Sequence, residues 1–91
     1  MNRLRLNDGT EIQVSHCSEG GGVLRIHLTT EADIVETAAL FSDASKTVRM
    51  EFTYDGGMER VYERYTRLTR VGFDEYERVT EIMLRRPLAG E

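Results

Sequence analysis

The sequence predicts an α+β domain: a small antiparallel β-sheet or partly open β-barrel of about five or six strands, carrying one α-helix. Three observations lead there. In Thr47–Tyr54, Val48, Met50, Phe52 and Tyr54 alternate with Thr47, Arg49, Glu51 and Thr53, the period of a strand with one buried face. Asp55-Gly56-Gly57 follows at once and accepts the positive φ of a tight reversal. Between residues 29 and 45 the period changes from two to about 3.6, which fits one helix and no more.

Taken in order, Leu4-Arg5-Leu6 leads through the turn signal Asn7-Asp8-Gly9 into Thr10–Ser15, where Ile12 and Val14 share a face. This reads as an N-terminal hairpin. Gly20-Gly21-Gly22 separates it from a third strand in which Leu24, Ile26 and Leu28 face one way and Arg25 and His27 the other. The triple glycine joins two strands and lacks the lysine and hydroxyl that would close a phosphate loop, so it is read as a flexible or bulged connection. Thr29 and Thr30 offer a capping hydroxyl ahead of Glu31 and Asp33, whose charges suit the first turn of a helix. Ile34, Val35, Ala38 and Phe41 then recur at helical spacing, predicting a helix from about Glu31 to Phe41 with that stripe on the sheet. Ser42–Ser45 ends it.

Beyond Asp55-Gly56-Gly57 two readings stand. Val61, Tyr65, Leu68 and Val71 fit a helix face, and Asp74 with Glu77 would cap a second helix running through Met83. The same stretch is rich in β-favouring Val, Tyr and Thr, and a strand starting at Met58 would pair at once with Glu51–Tyr54. Tyr76–Arg86 is similarly mixed, and Pro87 stops it either way.

With 91 residues and 40% hydrophobic content the chain suits one small domain over residues 1–91, for which self-association is a natural source of extra stability. Met1–Arg5 leads into polar residues and no apolar run approaches the roughly 20 needed to span a bilayer, so the expectation is an intracellular protein with no membrane partner. The single cysteine, Cys17, agrees with a reducing compartment. A net charge of −4 argues against a surface that traps nucleic acid as a whole.

No residue pattern signals catalysis, a metal or a cofactor, and none of the three is expected. His16-Cys17 and the lone His27 lack the spacing of zinc ligands, and His27, alternating with Ile26, reads as an ordinary surface residue. Neighbours on a strand point to opposite faces, which places His16 badly for activating Cys17. The many carboxylates read as solvated surface. One constellation stands out: Arg60, Arg64, Arg67 and Arg70 with Tyr62 and Tyr65 interleaved, a composition favoured at protein interfaces. Arginine and tyrosine also serve nucleic-acid grooves, but Glu59 and Glu63 among them make ion pairing and protein contact the better readings.

The order of features resembles a known group. Phe41-Ser42-Asp43, Lys46-Thr47 opening a strand, the acidic-glycine turn, Val61-Tyr62-x-x-Tyr65-Thr66-x-Leu68-Thr69 and Val79-Thr80-Glu81-Ile82-x-Leu84 are similar to small phage- and prophage-encoded proteins of Firmicutes-type bacteria, often encoded near tail genes. The similarity spans about residues 30 to 85 and its motifs are structural. Phe73–Glu77 departs from the Asp-Gly turn and Thr-Val alternation usual there. The resemblance favours the β reading of the C-terminal half. It implies a non-enzymatic protein acting through protein contacts, a tail-associated structural or assembly component that forms a homo-oligomer, made in the bacterial cytoplasm and carried into the virion. A small acidic inhibitor of a host defence protein is the alternative.

Overall fold

The computed structural model describes residues 2–91; Met1, in the segment read above for a leader, lies outside them. The chain forms β1 (Arg3–Arg5), β2 (Glu11–Gly20), β3 (Val23–Leu28), α1 (Ile34–Phe41), α2 (Ala44–Thr47), β4 (Arg49–Thr53), β5 (Glu59–Glu63), β6 (Arg67–Asp74) and β7 (Val79–Arg85). All strand pairs are antiparallel, in one open sheet of order β5-β4-β1-β2-β3-β7-β6. This corrects the expectation of five or six strands and one helix: the described residues form seven strands and two short helices.

The differences have local causes. Residues 58–72, open between helix and strand, are two strands divided by Arg64-Tyr65-Thr66, where Arg64 takes φ 67°. That positive φ breaks any helix. Asp74 and Glu77 do not cap a helix; Asp74 Oδ1 accepts from the Tyr76 and Glu77 amides and closes the β6–β7 turn, with Arg78 at φ 58°. Asp43, placed with the end of the first helix, instead starts α2 by accepting from Ser45 N. Val48 therefore caps α2 and stands half exposed, and the central strand begins one residue later.

The α1 cap is Asp33 and not a threonine: its carboxylate accepts from Glu36 N at 2.9 Å. The buried side of α1 holds Thr37 and Phe41, whereas Val35 is 79% exposed, so the apolar stripe expected on the sheet is only partly there. The β2–β3 connection is also tighter than expected. Gly21 (φ 60°) and Gly22 (φ 76°) make a two-residue turn, both residues being left-handed as such a hairpin demands.

Chain connectivity makes the sheet roll up. Seven strands spaced about 4.8 Å apart would put the edges of a flat sheet about 29 Å apart. Edge strands β5 and β6 are joined through Arg64-Tyr65-Thr66, a span that reaches at most about 15 Å. The concave side therefore encloses Leu4, Leu24, Ile26, Phe41, Met50, Phe52, Tyr65, Ile82 and Leu84, all without exposed surface. Burying each of the larger side chains contributes about 1.5–3 kcal/mol. α1 lies against β6 and α2 against β4, so the helical segment fills the space between the two ends of the rolled sheet.

Candidate functional site

The six residues singled out in the sequence do not form one surface. Tyr62 is buried on the concave side opposite Met50, and its hydroxyl has no hydrogen-bond partner among the described residues. Tyr65 is fully buried and its hydroxyl donates a short hydrogen bond to Glu19. Burial pushes the phenols of both up to about 12. Arg60 is exposed opposite Phe52, Arg64 is exposed in the link between the edge strands, and Arg67 pairs with Glu91 at 3.3 Å. Arg70 folds its guanidinium over Gly72, 3.0 Å from where a Cβ would stand. The tyrosines are thus core, and the arginines belong to opposite edges of the sheet.

The free edge of β5 is the first feature a partner could use. Tyr54 N donates to Met58 O and Arg64 N to Val48 O, so those pairs carry the ladder bonds, which alternate along an antiparallel pair. Arg60 and Tyr62 then bond β4, while the backbone groups of Glu59, Val61 and Glu63 point away from it. Val61 is 46% and Met58 64% exposed beside that edge. Part of it is already used: Arg86 Nε donates to Glu63 O at 3.0 Å.

The second feature is a cluster on the convex face that the sequence reading missed. His16 on β2 stands directly opposite His27 on β3, and His27 opposite Glu81 on β7. Across strands, opposed residues share a face, so the three form a row. The ring centroids of His16 and His27 lie 4.4 Å apart at 61°. His27 Nε2 is 2.7 Å from a Glu81 carboxylate oxygen, and His27 Nδ1 is 3.1 Å from Glu77, which the β6–β7 turn folds back over the row. His27 is only 7% exposed, which corrects its reading as a surface residue. Burial alone would lower its pKa, but the hydrogen bonds and negative charges of Glu81 and Glu77 outweigh that and raise it.

Ligand atoms of His16, His27 and Glu77 lie within 4.8 Å of one another, as do those of His27, Asp74 and Glu81. The His16–His27 pairing was legible in principle. A two-residue turn at Gly21-Gly22 pairs Gly20 with Val23 and, counting back, His16 with His27; reading the glycines as a flexible connection hid it. Glu81 could not be placed, because β3 and β7 meet only through the tertiary fold.

Cys17 points into the core and burial pushes its thiol up to about 12, the opposite of an activated nucleophile. On the convex face of β1 and β4, Arg5 meets Glu51 at 2.7 Å and Arg49 pairs with the same carboxylate, a mutually satisfied charge ladder. No helix among the described residues is long and apolar enough to cross a membrane. Compared with protein-family models, with curated proteins and with solved structures, the chain matches none.

Proposed function

We propose that this protein is a non-enzymatic phage or prophage component that acts through protein–protein contacts, a tail-associated structural or assembly part that self-associates in the host cytoplasm. The observation that carries the reading is the β5 edge: Glu59 and Val61 direct backbone groups away from the sheet, next to exposed Met58 and Val61. Such an edge accepts a further strand, whose main-chain bonds supply affinity and whose side chains supply selectivity. The likeness of residues 30 to 85 to small phage proteins encoded near tail genes supports the setting.

Val61→Pro is the discriminating variant. Its missing N–H faces the free edge and leaves the bonds to β4 in place, so the domain keeps its fold while strand addition is blocked. Light scattering over a concentration series is expected to show an oligomer for the parent chain and a monomer for Val61→Pro. Mass spectrometry of particles purified from an induced lysogen is expected to find the protein at fixed copy number. A chain that stays monomeric and abundant in the lysate but absent from particles overturns the reading and favours a small acidic inhibitor of a host defence protein.

A further inference from the structure

We propose that His16, His27 and Glu77 form a surface site for a divalent transition metal, for which Zn²⁺ is the best match. The donor set is two imidazoles and one carboxylate, the ligand types zinc takes when three protein groups leave a fourth position for water or another ligand. Zinc bonds of about 2.0–2.1 Å put neighbouring tetrahedral ligands roughly 3.3 Å apart. His27 Nδ1 and the Glu77 oxygen already stand 3.1 Å apart, and His16 completes a trio within 4.8 Å.

Three features distinguish this trio from a chance group of surface charges. The first is Glu81. At 2.7 Å from His27 Nε2, with its side chain only 16% exposed, it accepts the Nε2 proton, fixes the ring, and leaves Nδ1 as the donor atom facing His16 and Glu77. A carboxylate behind a ligating histidine is the usual outer partner of such a metal. The second is Asp74, whose Oδ1 holds the Tyr76 and Glu77 amides and so sets the turn that brings Glu77 over the ring. The third is His16, whose ring nitrogens make no hydrogen bond among the described residues, although the ring sits against His27.

The other trio, of His27, Asp74 and Glu81, is the weaker candidate, because Asp74 is engaged by two amides and Glu81 by the ring. Binding at Nδ1 requires that nitrogen to be free of a proton, so Zn²⁺ displaces any proton that Nδ1 shares with Glu77. That proton is released to solvent.

The test is calorimetric titration of tag-free, chelator-stripped full-length chain with ZnCl2. One Zn²⁺ per chain is expected, with a rise in melting temperature. Cobalt(II) substitution should give the intense visible bands of a four-coordinate site. His27→Ala removes a buried group and risks the fold, so the decisive variants are the peripheral His16→Ala and Glu77→Gln, checked for an unchanged circular dichroism spectrum. Each should weaken binding at least tenfold.

Glu81→Gln, a positioning change, should weaken it about 10–100-fold and shift the His27 ring ¹⁵N resonances. Failure to bind one equivalent overturns the site. So does affinity unchanged in both His16→Ala and Glu77→Gln, which would place any ion elsewhere. Neither result bears on strand addition at β5, whose own test is independent.

Discussion

Arg86, just past the end of β7, donates through Nε to the carbonyl of Glu63, the last residue of edge strand β5, at 3.0 Å. Its guanidinium also lies 4.5 Å from the centroid of the Tyr65 ring and 3.7 Å from Glu19 on β2. One side chain thus ties the C-terminal end of β7 to β5 and β2, across the sheet's own curl. Arg86→Ala is expected to cost about 1–2 kcal/mol in urea denaturation, from one hydrogen bond to a charged donor and one cation–π contact. Arg86→Lys should recover only part, because an ammonium does not reproduce the planar contact. A parent-like midpoint for Arg86→Ala would remove this residue from the seam.

Tyr62 and Tyr65 look alike in sequence and differ in what their hydroxyls meet. Tyr65→Phe breaks the bond to partly exposed Glu19 and should destabilise by about 0.5–1.5 kcal/mol. Tyr62→Phe deletes a buried hydroxyl with no partner among the described residues and should be neutral or stabilising by up to about 1 kcal/mol. Equal losses in the two variants would contradict the different hydroxyl environments.

Cys17 lies on β2 opposite Ile26, 8% exposed, with its thiol pushed up to about 12 by burial. At pH 8 iodoacetamide should therefore label the native protein far more slowly than the urea-unfolded one, since the thiolate is the reacting species. Equal rates would show the strand opening readily in the native state.

Glu91 is held by a two-pronged pair with Arg85, at 2.8 and 3.0 Å, and by the Leu88 amide at 2.8 Å. These partners, Arg85 foremost, push its carboxyl down to about 2. A carboxylate with a depressed folded pKa contributes stability that is present above its unfolded value near 4.5 and is lost as pH falls towards 2. NMR titration of the Glu91 side chain should give a midpoint near 2 in the parent chain and a clearly higher one in Arg85→Ala, still below 4.5 because the Leu88 amide and Arg67 remain. A parent midpoint near 4.5 would mean that the pair is not held in solution.

Much of the sheet was legible locally. Leu24, Ile26 and Leu28 alternate and are buried together on β3; Met50 and Phe52 do the same on β4. The strand count was not legible, because Val61, Tyr65 and Leu68 keep a helical spacing while the Val, Tyr and Thr around them favour strands; the left-handed Arg64 that divides β5 from β6 carries no glycine signal. Nor did composition reveal that Tyr62 and Tyr65 are core. Their polar tips suit an interface, and only the closing of the sheet over them makes them interior.

By itself, then, the sequence determined the alternating strands of the first half, the central strand and a helix after the third strand, but neither the second helix nor the seven-strand count, because alternation and turn chemistry are written in neighbouring residues. It also contained the His16–His27 pairing, through the register that a Gly21-Gly22 turn imposes. Only the tertiary structure decided that Glu81 and Glu77 flank His27, that Arg86 closes onto β5, and that β5 keeps an open edge. Those relationships join residues 23 to 54 positions apart, and strand order, unlike strand period, depends on which surfaces the whole chain can bury at once.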